Sequence, residues 1–268
     1  MKKLLALLLA GVMVFSMTAC GNKEQNDETK TVEERKTLVV GFDAEYPPYG
    51  YLDSDTGEYT GFDLELAEAV CELEGWKLVK TPIDWDSKDM ELNGGNIDCI
   101  WNGFTMNGRE KDYTFSVPYV NNTQVVVVSK DSGIKTLADL KDKYVGVQKA
   151  SAAESLLEEG GDQATLGKTF KSLDSFGDYN TAFAELEAGT IDALAIDVGV
   201  AQYQIESRGE GYEILDEELN AEQYAVGFKK GNTELKDIID KDLKKLNEEG
   251  TVKKLAEKYE IADMICLE

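Results

Sequence analysis

From Thr37 onward, apolar and polar residues follow each other in short blocks that predict strands and helices in alternation. Apolar runs of five or six residues, bounded by glycine or by polar and charged residues, indicate buried strands. These runs cover residues 37–42, 77–81, 97–101, 124–129, 144–148, 191–196 and 224–228. Apolar residues three and four positions apart predict helices in other segments. These segments are residues 63–75, 86–93, 137–142, 151–159, 179–188, 233–248 and 251–259.

Helix ends and an internal similarity indicate how these elements are organised. Gly75 closes the first helix, and Ser151 followed by Glu154 has the spacing of a capping box. The segment 93–102 resembles the segment 187–197, because in each a glycine-containing helix end precedes Ile-Asp and a buried strand. Alternating strands and helices with short connections favour an α/β fold with mostly parallel sheets flanked by helices. The similarity predicts two lobes of like design.

The first 19 residues have the pattern of a secretory signal. Two lysines precede an apolar run of 12 residues, which is too short to span a bilayer. The sequence M-T-A-C-G at 17–21 resembles the lipobox of bacterial lipoproteins, with Met17 in place of the more usual leucine. We expect cleavage before Cys20 and acylation of its thiol, which would tether the protein to a membrane. The alternative is an ordinary secretory signal with a chance cysteine. Residues 20–36 are polar and charged and predict a flexible tether.

Composition excludes several classes of function. The chain has 52 acidic and 28 basic residues, a net charge of −24, which argues against nucleic acid as a partner because nucleic-acid binding needs basic patches. The absence of histidine excludes Ser-His-Asp and Cys-His catalysis and histidine-bearing metal sites. Cys71, Cys99 and Cys266 lie among apolar residues, so we predict buried free thiols, with a disulfide such as Cys71–Cys266 as the alternative. No motif implies a cofactor or a metal ion.

Polar side chains follow the ends of several predicted strands. In open α/β sheets, ligands bind beyond the carboxyl ends of the strands, so these side chains are expected to converge. They are Asp43, Glu45 and Tyr46 after 37–42, Asn102, Gly103, Thr105 and Arg109 after 97–101, Gln148 and Ser151 after 144–147, and Asp197 after 191–196.

The chemistry of this group fits a small zwitterion. Arg109, one of three arginines in the chain, offers a planar fork that matches a carboxylate. Asp197 would accept hydrogen bonds from an ammonium group, and the helix start at Ser151 offers backbone N–H groups to an anion. Tyr46 and Trp85 offer flat apolar faces. A free α-amino acid carries both charges on one carbon, so we predict an amino-acid site.

Six segments of the sequence, taken in order, resemble a known protein family more specifically than any single motif would. They are D-A-E-Y-P-P-Y with G-F-D-L-E-L-A, G-F-T-M-N-G-R-E-K-D-Y-T-F-S-V-P-Y, Y-V-G-V-Q-K-A-S-A-A-E-S, G-T-I-D-A-L-A-I-D and L-N-E-E-G-T-V-K-K-L-A-E-K-Y. Over residues 37–262 the chain resembles the polar amino acid family of ABC-transporter solute-binding proteins. The resemblance implies the two-lobed type II periplasmic-binding-protein fold, with crossing strands near 125–130 and 223–228. Implied boundaries are a signal peptide at 1–19, a tether at 20–36, lobe one at 37–126 and 223–268, and lobe two at 127–222.

Position by position, the resemblance also implies ligand contacts. Arg109 resembles the arginine that grips the α-carboxylate, and Asp197 resembles the aspartate that holds the ammonium group. Two loops depart from the pattern of the family. The turn from Thr105 to Arg109 is one residue shorter than usual, and Gly108 would allow this tighter turn. The segment A-S-A-A lacks the usual glycine and one of the two usual hydroxyl residues, so Ala152 offers only its N–H. The other implied contacts are Thr105 and Gly103 for the charged groups, Tyr46 and Trp85 as aromatic walls, Asp43 as reader of the ligand side chain, and Ser151 from lobe two. Asn102 and Gln148, at the ends of predicted strands, are further polar candidates for the pocket.

Each of these residues has a purely structural alternative. Arg109 would otherwise form a surface ion pair with Glu110 or Asp112, and Asp197 would cap the following helix. The remaining alternatives are turn packing for Tyr46, core packing for Trp85, and an outward-facing or backbone-binding position for Asp98 and Asp192.

The function implied by the resemblance is capture and delivery, without enzymatic chemistry. We expect a monomer, anchored at the outer face of a Gram-positive membrane or periplasmic in a Gram-negative cell, that passes a free L-amino acid to an ABC permease. The pocket candidates include no second cation, which disfavours aspartate and glutamate. Polar neutral ligands such as glutamine or cystine are slightly preferred over basic ones. The alternatives are a dehydratase that uses Glu45 as a general acid, and a protein that presents ligand to a separate sensor.

Overall fold

The structure, a computed structural model, describes residues 35–267. The predicted signal peptide, the lipidation residue Cys20 and most of the predicted tether lie outside the described residues. Within residues 35–267, none of the helices combines the length and the apolar character that a membrane span requires.

The first lobe is built on a five-stranded sheet. Its strands are β1 (Thr37–Phe42), β5 (Lys77–Pro82), β6 (Cys99–Ile100), β7 (Tyr113–Phe115) and β14 (Gly227–Lys229). Their spatial order is β5–β1–β6–β14–β7, with β1 parallel to β5 and β6, and β14 antiparallel to its two neighbours. The helices of this lobe are α1 (Phe62–Glu74), α2 (Lys88–Asn93), α7 (Thr233–Glu248) and α8 (Thr251–Lys258).

The second lobe has a similar design. Its strands are β8 (Val120–Ser129), β9 (Tyr144–Gln148), β10 (Ser172–Phe176), β11 (Ala193–Asp197), β12 (Tyr212–Ile214) and β13 (Asn220–Tyr224). The order is β10–β9–β11–β8–β12, and β13 also pairs with β8. Strands β10, β9 and β11 are parallel, and β8 runs against β11, β12 and β13. The helices are α3 (Ala152–Leu157), α4 (Ala164–Gly167), α5 (Tyr179–Ala188) and α6 (Val198–Arg208). The predicted two-lobed α/β fold is confirmed, and one reversed strand makes each sheet mixed.

Small elements complete the chain. Strands β2 (Glu45–Tyr46), β3 (Gly50–Leu52) and β4 (Tyr59–Thr60) form a separate antiparallel sheet. Short 3₁₀ helices cover Trp85–Ser87, Leu137–Leu140 and Ala262–Met264. The sequence indicated only turns where the small sheet lies, because its strands are two or three residues long and surround prolines and glycines.

The valines of β8 show why this strand lies at the centre of its sheet. Val126 and Val128 pack into the core cluster on one face, and Val125 and Val127 pack into the cluster on the other face. Side chains alternate across a strand, so an uninterrupted apolar run is the pattern of a strand that is covered on both faces. Burying each of these side chains contributes about 1.5–3 kcal/mol.

The internal similarity has a structural counterpart in the two Ile-Asp sites. Asp98 Oδ2 accepts a hydrogen bond of 2.7 Å from Val39 N at β1, and Asp192 Oδ2 accepts one of 2.9 Å from Tyr144 N at β9. Each aspartate thereby ties the start of one strand to a neighbouring strand that runs parallel to it. The expectation that these aspartates bind backbone is confirmed, but this backbone belongs to strands and not to loops.

Several predicted elements need correction. The predicted strand 224–228 is wrong as a single element, because it divides between β13 and β14. At the break, Ala225 N donates to Phe104 O and Val226 N donates to Ser116 Oγ. The predicted strand 97–101 contracts to β6, and the predicted helix 137–142 is a 3₁₀ turn. The elements that the sequence did not indicate are β2, β3, β4, β7, β10, β12 and α4, while α6 was indicated only as the helix that Asp197 would cap.

The three cysteines within the described residues are free. Cys71 and Cys99 are buried, as expected for small apolar residues, and burial raises the pKa of both thiols. Cys266 is only partly buried, so the expectation of burial is wrong for this residue. Its sulfur lies 3.9 Å from Gln223 Nε2.

Candidate functional site

The predicted site residues meet where the two lobes face each other. Asp43 and Asn102 follow β1 and β6 in the first lobe, while Gln148 and Asp197 end β9 and β11 in the second. Each of the four is at most 5% exposed. The carboxyl ends of the strands therefore bring their polar residues together, as the sequence predicted.

Asp43 forms the most direct polar contact between the lobes. Its Oδ2 accepts a hydrogen bond of 2.6 Å from Gln148 Nε2, and its Oδ1 accepts one of 2.8 Å from Glu45 N. Asp43 N donates to Asn102 Oδ1 at 2.9 Å. Burial raises the pKa of Asp43 to about 6, although these hydrogen bonds favour the charged form. In this conformation the carboxylate joins the lobes.

Further contacts show that the lobes are closed on each other. Lys149 of the second lobe forms an ion pair of 2.8 Å with Asp86 of the first. Lys88 Nζ donates to Ala150 O at 3.1 Å across the boundary and to Trp85 O at 3.2 Å within its own lobe. Burial lowers the pKa of Lys88 to about 8. The sequence did not indicate this second cation of the cleft.

Asp197 lies at the centre of a buried hydrogen-bond cluster. Its Oδ1 accepts hydrogen bonds from Asn122 Nδ2 at 2.8 Å, Gln124 Nε2 at 2.5 Å and the Tyr224 hydroxyl at 2.6 Å. Its Oδ2 lies 3.3 Å from the Tyr179 hydroxyl. Although Asp197 precedes α6, its side chain accepts no capping hydrogen bond from that helix. The carboxylate is therefore held inside the cleft and does not act as a helix cap.

A second carboxylate, which the sequence did not indicate, lies beside Asp197. Glu222 Oε1 accepts hydrogen bonds from Gln124 Nε2 at 2.8 Å, Asn122 Nδ2 at 2.9 Å and Thr105 Oγ1 at 2.8 Å. The same two amide groups thus donate to both carboxylates. Burial, and then repulsion from Asp197, raise the pKa of Glu222. We call Asp197 and Glu222 the acid pair.

Arg109 faces the acid pair from the first lobe. Its guanidinium donates to Thr105 O at 3.3 Å and lies 5.0 Å from the centre of the Phe104 ring. Among residues 35–267, no carboxylate oxygen lies within 4 Å of it, so the alternative ion pair with Glu110 or Asp112 does not form. Partial burial lowers the pKa of Arg109, and the charges of the acid pair act in the opposite direction.

The turn before Arg109 has the tight geometry that its length required. Arg109 N donates to Met106 O at 3.0 Å, and Gly108 within this turn has a φ of 79°. Such a positive φ is readily adopted by glycine. The shorter loop therefore still brings Arg109 to a cavity of about 400 Å³ that Thr105, Ala152 and Glu222 also line.

The two aromatic candidates combine packing with cleft positions. The Tyr46 hydroxyl lies 3.2 Å from the Tyr224 hydroxyl, and its ring centre lies 6.0 Å from that of Tyr179 in the other lobe. The Trp85 ring packs edge-on against the Phe104 ring, with the ring centres 5.7 Å apart, which agrees with the alternative of core packing. Trp85 also lines a second cavity of about 530 Å³ together with Asp43 and Glu45.

Ser151 begins α3 as predicted, with an altered capping box. Its Oγ accepts a hydrogen bond of 3.1 Å from Glu154 N. The Glu154 carboxylate accepts from Ala150 N at 2.6 Å, one residue before the position that the motif prescribes. Ala150 has a φ of 57°, which turns its N–H toward this carboxylate. Ala152 is partly exposed at the cavity shared with Arg109.

Gly103 occupies a position that admits no side chain. Its N–H donates to Asp63 Oδ2 at 2.6 Å, and its φ is 54°. An added Cβ would lie 2.8 Å from Tyr46 Cε1 and 3.0 Å from Tyr224 Cε2. Both rings contribute to the cleft, so a side chain at Gly103 would displace the site as well as strain the backbone.

We expect Gly103→Ala to lower the free energy of unfolding by about 2–4 kcal/mol, because overpacking adds about 1–3 kcal/mol to the cost of a left-handed backbone. Gly108→Ala is the matched control: its φ is also positive, but nothing lies within 4 Å of an added Cβ. Denaturant unfolding of both variants measures the difference. Equal losses would contradict the role of the two tyrosine rings.

The residues that the sequence missed lie mainly on β8 and β13. These are Asn122, Gln124, Glu222 and Tyr224, together with Lys88 and Tyr179. Glu222 lies opposite Asn122 in the antiparallel ladder, and Asn220 lies opposite Gln124. In each strand the two cleft residues are two positions apart, which is the spacing of one face. The sequence could have indicated these residues through that alternation. It does not show which strand pairs with each of them to form the polar face of the cleft.

Comparison with known proteins agrees with the fold. The family model for bacterial extracellular solute-binding proteins, family 3, matches residues 38–262. The arginine-binding extracellular protein ArtP of Bacillus subtilis is 32% identical over 97% of this chain and 98% of its own length. The L-cystine-binding protein TcyJ of Escherichia coli is 31% identical over 96% of each chain.

Solved structures give the same result. A substrate-binding protein of an ABC uptake transporter from Streptococcus pneumoniae, with bound histidine, has a TM-score of 0.79 at 34% identity, covering 83% of this chain and 92% of its own. An ancestral arginine-binding protein bound to arginine has a TM-score of 0.76 at 36% identity, covering 84% and 98%. The named relatives are binding proteins and not enzymes. This chain belongs to the bacterial extracellular solute-binding proteins of family 3.

Proposed function

We propose that this protein captures a free L-amino acid between its lobes and delivers it to the permease of an ABC importer. The observation that carries the proposal is that Arg109 of the first lobe faces the acid pair where the two lobes meet. Arg109 has no carboxylate within 4 Å among residues 35–267, yet Asp197 and Glu222 are the first two charges that act on it. An α-amino acid places a carboxylate and an ammonium on one carbon and would satisfy both sides.

In this proposal the first lobe receives the ligand carboxylate. Arg109 binds it through the planar guanidinium, which matches a carboxylate in a bidentate manner. Thr105 lies on the same loop and adds a contact to the carboxylate, while the Gly103 carbonyl accepts from the ligand ammonium. Asp197 receives the ammonium group from the second lobe, where Ser151 and the N–H of Ala152 add further contacts.

We propose that the lobes comprise residues 37–126 with 223–268, and residues 127–222. The antiparallel pair β8–β13 would be the hinge, because β8 begins at Val120 opposite Tyr224 and extends into the second sheet. Closure on the ligand would bring Gln148 to Asp43 and Lys149 to Asp86, the contacts that join the lobes here. Hinge closure of this kind is common among binding proteins.

The surroundings of the cleft support a polar neutral or basic side chain on the ligand. Six carboxylates and no lysine or arginine line the 530 Å³ cavity beside Trp85. They are Asp43, Glu45, Asp84, Asp86, Glu91 and Asp178. Such a lining repels an acidic side chain, and Lys88 already donates to two carbonyl groups. The slight preference for a neutral ligand that the sequence favoured becomes an equal choice between neutral and basic.

Calorimetric titration with each L-amino acid and with cystine tests the proposal. The protein comprising residues 21–268 would first be unfolded and refolded to remove bound ligand. We expect micromolar or tighter binding of one or a few of these compounds. A folded sample, verified by circular dichroism, that gives no heat with any of them would contradict the proposed function.

We further propose that the mature protein acts outside the cell, anchored through acylated Cys20. The support is the lipobox-like sequence at 17–21 together with the extracellular family to which the chain belongs. Cys20→Ser should release the protein into the medium or periplasm, while the wild type fractionates with membranes. Equal distribution of the two proteins would contradict the anchor.

The dehydratase alternative has less support. One structural relative is an ancestral amino acid-binding protein described as a precursor of cyclohexadienyl dehydratase, with a TM-score of 0.75 at 32% identity over 83% of this chain and 95% of its own. Glu45, the general acid that this alternative needs, is exposed and accepts a hydrogen bond from Asn180.

A further inference from the structure

We infer that Glu222 is a second acceptor for the ammonium group of the ligand, so that the ammonium is shared between Glu222 and Asp197. This inference rests on the proposed function and adds to it a residue from the strand β13. Both carboxylates are at least 95% buried, and Glu222 lines the same cavity as Arg109. A ligand whose carboxylate lies on Arg109 therefore has its neighbouring ammonium within reach of the acid pair.

The hydrogen bonds leave the charge of the acid pair uncompensated. Asn122 and Gln124 bridge the two carboxylates, but both amides are neutral. Among residues 35–267, no lysine or arginine forms an ion pair with either carboxylate. Two buried carboxylates so close together disfavour double ionisation, and a cation placed between them removes that penalty.

The binding of an ammonium ligand should therefore release a proton. Without ligand, burial and then repulsion from Asp197 raise the pKa of Glu222 above its ordinary value of 4.5. An ammonium beside it stabilises the carboxylate and lowers that pKa. Affinity should consequently increase as pH rises through the ligand-free pKa of Glu222, and decrease as pH falls. The charged and titratable groups that face Glu222 are Asp197, Arg109, Tyr49, Tyr179 and Tyr224.

Sharing the ammonium between two carboxylates also defines a chemical preference. A compound that keeps the α-carboxylate but lacks the positive nitrogen, such as a 2-hydroxy acid or an N-acetyl amino acid, would leave the acid pair uncompensated. The site should reject such compounds more strongly than a single aspartate would, because two buried carboxylates lose their counter-ion.

Calorimetric titration in two buffers of different ionisation enthalpy tests the inference, because it measures the protons released per ligand bound. The probes are L-arginine, L-glutamine and L-cystine, none of which titrates between pH 5 and 7, and the tightest-binding of the three is used. We expect wild-type protein to release a fraction of a proton at pH values near the ligand-free pKa of Glu222. Glu222→Gln should release fewer protons than the wild type and should bind about tenfold more weakly at pH 7.5, a loss that corresponds to about 1.4 kcal/mol.

Two further variants separate charge from structure. Glu222→Asp keeps the carboxylate and should retain proton release, while exposed Glu218→Gln removes one acid elsewhere and should match the wild type. If Glu222→Gln releases as many protons as the wild type, the inference is overturned and the proposed function stands. If neither cystine nor any L-amino acid binds to any folded variant, the inference falls together with the choice of an amino acid as ligand.

Discussion

Replacing Arg109 by alanine is expected to weaken amino-acid binding by about 2–5 kcal/mol, the typical cost of removing one partner from a buried charge pair. In this structure the guanidinium donates only to Thr105 O and stacks on Phe104, so it is available for a carboxylate. Without it, the ligand carboxylate would lose its guanidinium partner, and Lys88, the other cation of the cleft, already donates to two carbonyl groups. Calorimetric titration against the cognate amino acid measures the loss.

The matched control for this variant is Arg208→Ala. Arg208 also lies over an aromatic ring, that of Phe183, but it is exposed and lies at the end of α6 near Glu187. Its replacement removes the same charge and should leave affinity unchanged. Arg109→Lys should give an intermediate loss, because an ammonium keeps the charge without the fork. Wild-type affinity in Arg109→Ala would contradict the assignment of the carboxylate site.

The second large effect is expected for Asp197→Asn, with a loss of binding free energy of about 2–4 kcal/mol. An asparagine keeps the shape of the side chain, and its oxygen still accepts from Asn122, Gln124 and Tyr224, so the fold should survive. The negative charge that receives the ligand ammonium is lost. The same change removes the repulsion that raises the pKa of Glu222, so this pKa should fall. Titration at several pH values measures both effects.

Asp216→Asn serves as the control, since Asp216 is exposed and lies between β12 and β13, outside the cleft. Thermal unfolding of both variants verifies that each remains folded. Should Asp197→Asn bind an amino acid as tightly as the wild type, the ammonium would have to be received elsewhere, and Glu222 would be the remaining acid in the cluster. Combining Asp197→Asn with Glu222→Gln would then decide between one acceptor and two.

The hydrogen bonds around the acid pair link the cleft to the strands that connect the lobes. Asn122, Gln124 and Glu222 lie on the two strands that connect the lobes, and they hold Asp197 through shared amide donors. Thr105, from the loop that carries Arg109, donates to Glu222. The residues proposed to bind the ligand and the strands proposed as the hinge thus share one hydrogen-bond cluster. A change of charge in this cluster would be transmitted to both lobes through direct contacts.

Local sequence pattern was sufficient for much of the fold and for part of the site. Strands β1 and β9 and helix α5 have the bounds that apolar periodicity predicted, because their apolar residues face a core within their own unit. Arg109 and Asp197 were identifiable because each follows a buried strand, and the carboxyl ends of parallel strands converge. Ser151 was identifiable because helix capping depends on neighbours three residues away.

Contacts between distant parts of the chain were needed for the rest. The amides of Asn122 and Gln124 and the carboxylate of Glu222 occupy polar strands whose sequences resemble exposed edges, and only the pairing of β8 with β13 places them against Asp197. The same holds for Lys88, whose ammonium group donates across the boundary to Ala150 O of the other lobe. Local pattern reports hydrogen bonds and packing between residues that are near in sequence. The charge environment of this cleft arises from groups about 75–100 positions apart, whose encounter depends on how the lobes close.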